Sequence, residues 1–102
     1  MDLLARIKYL VIRNRISYTR KAQDEMDLDQ LTRDEVREAI MNAAVVSKTL
    51  RSKNPQSGAV EKLYVIKSVT LKGIFVYTKG KFDKVENDEV FYVLISSKRS
   101  TD

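Results

Sequence analysis

The sequence predicts an α+β domain, with helices packed on one face of a mainly antiparallel four-stranded sheet in the order ααα-ββββ. Two observations predict this class. Apolar residues recur at helical spacing through residue 43, and from Ala44 onward their period changes to two. The length of 102 residues is near the commonest domain size, so we expect a single domain over residues 1–102.

The first helix is predicted over residues 2–13, where one face carries a row of apolar side chains: Leu3, Leu4, Ile7, Leu10 and Val11. Residues 15–18 are expected to form a connector. A second helix then runs to about Met26, with Ser17 or Thr19 as its N-cap. A hydroxyl suits this position because it accepts a hydrogen bond from an otherwise unpaired amide.

A capping box predicts the third helix, over about residues 33–43. The Thr32 hydroxyl can accept from the Glu35 amide, while the Glu35 carboxylate reaches back. Acidic residues are concentrated between positions 24 and 38. The simplest interpretation is that they form the solvated faces and N-termini of two helices, and a docking surface for a basic partner is the alternative.

Four strands are predicted after the helices, at about 45–51, 61–70, within 72–82, and 89–98. Lys72 and Gly73 are expected to form a two-residue hairpin turn, since glycine can take the positive φ that such a turn demands. This turn would place Ile66 opposite Lys79, and Tyr64 opposite Lys81.

The predicted hairpin has two chemically different faces. One is apolar, apart from Lys67, and is expected to lie under the helices: Leu63, Val65, Val69, Ile74, Val76 and Phe82. The other is expected to be open: Tyr64, Ile66, Phe75, Tyr77, Lys79 and Lys81. Tyrosines and lysines on one surface suit RNA, because rings stack on bases and ammonium groups hold phosphates. A solvent face that merely tolerates them is the alternative, and a one-residue slip would reverse the assignment.

The distribution of charge indicates a polyanionic partner. The net charge is +5, and residues 44–81 carry eight cations and one anion. The expected partner is nucleic acid, and an acidic protein is the second candidate. Lys98 and Arg99 follow the last strand, either as a frayed polar tail or as a further rim of the basic surface.

The composition excludes several kinds of chemistry. The chain has no cysteine and no histidine, which removes thiolate catalysis, the commonest general base and the commonest metal ligands. We therefore expect neither a metal nor another cofactor. The sequence contains neither a signal peptide nor an apolar run long enough to span a bilayer, so we expect a cytoplasmic protein without a membrane partner.

The order of elements, with KTLRS at 48–52 and EKLYVIKSVTLKGIFVYTKGK at 61–81, resembles the MqsR-like toxins. These are RelE-superfamily mRNA interferases of bacterial type II toxin–antitoxin systems. TRKAQDEMDLDQLTRDEVREAI, at 19–40, also resembles a helical pattern of RelE-like domains, in which a histidine is common where this chain has Lys21. The resemblance covers most of residues 15–81. It implies a RelE-like fold and a metal-independent endoribonuclease that cleaves mRNA, free or on the ribosome, and is neutralised by a cognate antitoxin.

The resemblance also implies site residues. Tyr64 and Lys79 stand fifteen positions apart, like a tyrosine and a lysine with proposed catalytic roles in the family, and Lys48 matches an earlier lysine. The chain departs from the family at Arg51, near where MqsR has a glutamine, and beyond Lys81, where it adds a loop and a strand. The implied catalytic residues are therefore Lys48, Tyr64 and Lys79. The residues expected to contact RNA are Arg51, Lys53, Lys62, Tyr77, Lys81, Lys98 and Arg99.

In the implied reaction, the substrate's own 2′-hydroxyl attacks the adjacent phosphate. A lysine in a cationic cluster could have a lowered pKa and act as the base. Tyr64 could orient the nucleophile or donate a proton, and Arg51 or Lys81 could clamp the phosphate. A non-catalytic RNA-binding module and a protein-interaction module on the same scaffold are the two alternatives.

Overall fold

The computed structural model describes residues 2–84 and 89–101. Three helices and five strands follow one another in the order α1 (Leu3–Ile12), β1 (Ile16–Tyr18), α2 (Arg20–Leu28), α3 (Arg33–Asn42), β2 (Lys48–Lys53), β3 (Val60–Val69), β4 (Phe75–Lys84) and β5 (Val90–Arg99). The strands form one sheet in the order β1-β5-β4-β3-β2. The α+β class is confirmed. None of the helices in the described ranges has the length and apolar character needed to cross a bilayer.

The prediction of four strands is wrong by one short strand. The expected connector forms β1, which pairs in parallel with β5 and sets Ile16 opposite Tyr92 and Tyr18 opposite Leu94. The other pairs are antiparallel, so the sheet is mixed. Three residues are too few to show a period of two, and their partner lies at the far end of the chain. The sequence therefore carries no local indication of this strand.

The helices begin where their capping residues predict. The Thr19 hydroxyl accepts the Ala22 amide at 3.1 Å, which makes Thr19, and not Ser17, the cap of α2. At α3 the Thr32 hydroxyl accepts the Glu35 amide at 3.1 Å, and the Thr32 amide donates to the Glu35 carboxylate at 2.9 Å. The capping box is confirmed.

The core lies between the helices and one face of the sheet. Its fully buried members come from all three helices and from β3, β4 and β5: Ile7, Val11, Ala22, Met26, Val36, Ile40, Ile66, Val76, Tyr92 and Leu94. Burial of each large side chain contributes about 1.5–3 kcal/mol. The opposite face of the sheet, here called the open face, carries none of the three helices that the structure describes.

The β3–β4 hairpin closes through a three-residue loop, not the predicted two-residue turn. The Thr70 amide donates to the Ile74 carbonyl at 3.0 Å, and the Ile74 amide donates to the Thr70 hydroxyl at 3.1 Å. Gly73 takes a φ of 85°, which a glycine adopts without steric cost. Three-residue hairpin loops with a glycine in this conformation are the next most common after two-residue turns.

The extra loop residue shifts the register by one position. Tyr64 pairs with Gly80, and Val65 pairs with Lys79. Because side chains alternate, the predicted faces of β3 are reversed relative to β4. Tyr64 and Ile66 lie on the helix side, and the residues of β3 on the open face are Leu63, Val65, Lys67 and Val69. The faces predicted for β4 are unchanged.

Two carboxylates, those of Glu25 in α2 and of Asp29 at the C-cap of this helix, bind the part of the β5 edge that β1 does not cover. Glu25 accepts the Ser96 hydroxyl at 2.7 Å and the Ser97 amide at 3.1 Å, and Asp29 accepts the Arg99 amide at 2.8 Å. The acidic segment is therefore more than a solvated face. It caps edge amides and fixes the end of β5, which carries basic residues of the candidate site.

Candidate nucleic-acid interface

A group of cations surrounds one aromatic side chain, Tyr77, on the open face. Lys67 of β3 and Lys98 of β5 are its direct neighbours across the sheet. Phe75 and Lys79 lie two residues away along β4, so they share its face. Lys48 of β2 lies in the same row as Lys79, with Val65 between them. These residues are called the Tyr77 patch: Lys48, Lys67, Phe75, Tyr77, Lys79 and Lys98.

The Tyr77 patch is accessible. Lys48, Lys67 and Lys98 are exposed, and Phe75 retains 53% of its surface. A hollow of about 460 Å³ lies beside Tyr77, and its lining includes Lys67, Lys98 and Arg99 but no acidic residue from the described ranges. The Lys98 ammonium is 5.5 Å from the centre of the Tyr77 ring. The patch can therefore bind an anion with several cations, and it presents at least one open ring on which a base can stack.

Lys81 lies on the open face too, but it is paired within the chain. Its ammonium is 2.7 Å from a Glu61 oxygen and 3.7 Å from an Asp83 oxygen, and its side chain is 19% exposed. The hydrogen bond to Glu61 is the main reason that the pKa of Lys81 is raised. The pKa of Glu61 is lowered by the same bond first and by a hydrogen bond from Asn54 second. Lys81 is therefore a poor proton acceptor with a balanced charge.

The structure separates the three residues with an implied catalytic role. Lys48 and Lys79 lie on the open face, whereas Tyr64 lies on the helix side, so the expectation that Tyr64 shares a face with Lys79 is wrong. The Tyr64 ring packs edge-on against Phe82, with 5.6 Å between ring centres. The reason is the three-residue loop, which shifts the register by one position and so places the side chains of β3 on the faces opposite to those predicted.

The other residues expected to contact RNA also lie on two different sides of the sheet. Tyr77 and Lys98 belong to the Tyr77 patch, and Arg99 lines its hollow. Arg51 and Lys62 pair across β2 and β3 on the helix side, and Lys53 ends β2 on that side, opposite Val60. One predicted basic surface is thus two surfaces, one on each side of the sheet.

Lys67 is the residue of the patch that sequence reasoning missed. It was assigned to the apolar face, where a lysine interrupts an otherwise hydrophobic set. In the structure it is exposed on the open face, directly opposite Tyr77. Its own charge was the available indication, because a lysine among apolar residues favours a shifted register.

Across the described ranges, no three carboxylate side chains come together in a group that could hold a metal ion. Comparison of the chain with protein-family models, with curated proteins and with solved structures gave no significant match. The arguments for function therefore rest on the residues and their geometry.

Proposed function

We propose that this protein binds single-stranded RNA through the Tyr77 patch. The observation that carries the proposal is the row Lys67–Tyr77–Lys98, in which a ring lies between two cations on three adjacent strands. Stacking on such a ring contributes about 1–3 kcal/mol per base. Lys79 and Lys48 extend the cationic surface by one further row.

Single strands fit this surface better than a duplex does. The bases of a duplex are stacked on one another, so their faces are not available to Tyr77 or Phe75. Along β4, alternate side chains are spaced by about 6.6 Å, twice the rise of a strand. An extended strand can therefore lie along β4 with a base on an aromatic ring and its phosphates beside the lysines.

The proposal is tested with a fluorescein-labelled single-stranded RNA, by anisotropy at several salt concentrations. We expect the double variant Lys67→Gln/Lys98→Gln to bind more weakly and to lower the log–log salt slope by about 1.4, the loss of two phosphate contacts. Lys21→Gln is the matched control, because Lys21 is exposed on α2, away from the open face. If the double variant binds as tightly as the wild type, the patch is not the RNA site.

We further propose that the protein is an endoribonuclease of the MqsR-like type, as the sequence resemblance implies. The favouring observation is that Lys48 and Lys79 lie on the same face on either side of Val65. A phosphate above Val65 can then be approached by two cations that stabilise the charge of the transition state. With Tyr64 on the other side, Tyr77 supplies the phenol on this face.

The reaction takes place between the protein, the RNA and solvent water. The 2′-oxygen bonds to phosphorus and loses its proton to water, and the bond from phosphorus to the 5′-oxygen breaks. The leaving 5′-oxygen takes a proton from an acid, which is Tyr77 in this proposal. The products are a 2′,3′-cyclic phosphate and a 5′-hydroxyl.

The activity is tested by incubating labelled RNA with the protein in EDTA and by analysing the ends of the products. We expect the two ends named above from the wild type and from Lys21→Gln, and no cleavage by Lys79→Ala. RNA that is bound but stays intact with the wild type would instead identify a non-catalytic RNA-binding module.

A further inference from the structure

β3 and β4 separate at one end of the hairpin. The paired register ends at Tyr64–Gly80, although β3 begins at Val60 and β4 continues to Lys84. Two residues further, the same register would join Lys62 to Phe82. A cleft of about 380 Å³ lies there instead, lined by residues of both strands.

A β-bulge lies beside the separation. The β4–β5 register shifts after Lys79, so that Lys79 pairs with Ser96, whereas Gly80 pairs with Leu94. Ile95 is therefore the extra residue, and the bulge is on β5. A bulge bends the strand that carries it and increases the local twist, and here it lies at the level where the pairing of β3 with β4 ends.

Backbone donors point into the cleft. The amides of even-numbered residues in this part of the chain are directed at β4, as the hydrogen bond from the Thr70 amide to the Ile74 carbonyl shows. By the same alternation the Lys62 amide is directed at the cleft. An amide at this position can donate to an anion that enters between the strands.

The cationic side chains of this region lie on the helix side. Lys62 and Arg51 are neighbours across β2 and β3, and both are exposed. Tyr64 is two residues along β3 from Lys62, on the same face, and lines the cleft. The Arg6 guanidinium of α1 is 4.1 Å from the centre of the Phe82 ring.

The two carboxylates that line the cleft share one cation, Lys81, and lie with it on the open face. Glu61 and Asp83 alternate with Lys62 and Phe82 along the strands, and both lie within ion-pair distance of Lys81. Lys62 and Arg51 have no carboxylate within ion-pair distance in the described ranges. An anion that approaches from the helix side therefore meets unbalanced positive charge.

We propose that this cleft is a phosphate-binding site, formed by the Lys62 ammonium and amide and the Tyr64 hydroxyl of its lining, with the Arg51 guanidinium reaching over from the neighbouring strand β2. Arginine binds two phosphate oxygens with its planar fork, and lysine and tyrosine add single donors. The phosphate belongs to a nucleotide or to an RNA phosphodiester, because both present at least two non-bridging phosphate oxygens. The site lies outside the Tyr77 patch and shares no residue with it, so it does not depend on RNA binding by the open face.

The site is tested on the full chain by amide NMR titration with inorganic phosphate. We expect shifts at Lys62, Tyr64 and Phe82, and a Kd about tenfold weaker in Lys62→Gln, the loss of one charge-assisted hydrogen bond. Lys21→Gln, on the exposed surface of α2, is the control with the same change of charge, and its Kd should equal that of the wild type. Tyr64→Phe keeps the ring and should weaken binding severalfold, which separates donation from packing.

Equal Kd values in wild type and Lys62→Gln would overturn the proposal, as would equal weakening by Lys21→Gln. Adenosine monophosphate and a short single-stranded RNA are then titrated into Lys67→Gln/Lys98→Gln. Shifts of the cleft amides with the monophosphate alone identify a nucleotide site, and shifts with the RNA identify a phosphodiester site. If neither ligand shifts them, the proposal fails even where RNA binding by the Tyr77 patch is established.

Discussion

Tyr64 and Lys79 lie on opposite faces of the sheet, although their strands are adjacent. Tyr64 pairs with Gly80, the residue next to Lys79. Neighbouring residues of a strand point to opposite sides, so the two side chains cannot contact one phosphate. Their spacing in the sequence therefore does not define a common site, and the phenol on the same face as Lys79 is that of Tyr77.

We expect Tyr77→Ala to weaken binding of single-stranded RNA by about 1–3 kcal/mol, the stacking contribution of one base. Tyr64→Phe should leave binding at the Tyr77 patch within about twofold of the wild type, because it keeps the ring that packs on Phe82. Both are measured by anisotropy at one fixed salt concentration. A larger loss in Tyr64→Phe than in Tyr77→Ala would place the RNA on the helix side.

The β4 half of the site could be predicted from the sequence, and the β3 half could not. The side chains of one strand alternate between the two faces of the sheet whatever its partners are, so Tyr77 and Lys79 were assigned correctly to the open face. Which side chains of β3 lie on the open face depends on whether the β3–β4 loop has two or three residues, and a glycine after Lys72 is compatible with both lengths. Lys67 was missed for that reason.

The capped helices were predictable because each cap is formed by residues three positions apart, as with Thr32 and Glu35. β1 depends on partners more than seventy positions away, as in the pairing of Ile16 with Tyr92. The cleft between β3 and β4 lies beside a bulge on β5, and no local pattern in the sequence reveals either feature.

The Lys81–Glu61 ion pair should make stability depend on acidity. The pKa of Glu61 is lowered from its ordinary value of 4.5, so its contribution is complete above that value and is lost as the pH falls through the lowered pKa. We expect Glu61→Gln to lower Tm at pH 7 and to have little effect at pH 2, as measured by circular dichroism. Glu89→Gln is the control, because the pair that Glu89 forms with Arg15 at 3.7 Å is exposed. Equal effects of both variants at pH 7 would contradict the prediction.

The raised pKa of Lys81 predicts that the fold loses stability as the pH rises into the alkaline range. A raised lysine pKa contributes stability that is complete below the ordinary value of 10.5 and is lost as the pH rises through the raised pKa. Lys81→Gln should therefore reduce the fall in Tm between pH 9 and pH 12. An unchanged alkaline profile would show that the pair does not stabilise the fold.

Gly80 should not tolerate a side chain. A Cβ at this position would lie 2.5 Å from Tyr92 Cζ, and the Tyr92 ring is fully buried. We expect Gly80→Ala to cost about 1–3 kcal/mol of unfolding free energy, the usual cost of overpacking. In a double-mutant cycle with Tyr92→Leu, urea unfolding should show a favourable coupling, because the smaller side chain removes the clash. Strict additivity would mean that the cost of Gly80→Ala does not come from contact with the Tyr92 ring.

The carboxylate of Glu25 should matter far more than that of its neighbour Asp24. Glu25 accepts the Ser97 amide and the Ser96 hydroxyl, so Glu25→Ala leaves two donors unpaired and should cost about 1–3 kcal/mol. Asp24 forms an exposed pair with Arg20, and Asp24→Ala should cost about 0.2–1 kcal/mol. Urea unfolding of both variants measures the difference. Similar values would mean that water replaces the cap.

If the protein is a toxin of the MqsR-like type, its expression in bacteria should arrest growth through cleavage of mRNA. We expect arrest from the wild type and from Lys21→Gln, and normal growth from Lys79→Ala, because Lys79 is one of two cations beside the phosphate above Val65. Immunoblotting establishes equal expression, and primer extension on total RNA locates the cuts. A cognate antitoxin expressed together with the wild type should restore growth.

Equal arrest by the wild type and Lys79→Ala would remove Lys79 from the catalytic proposal, and arrest without cuts would point to sequestration of RNA.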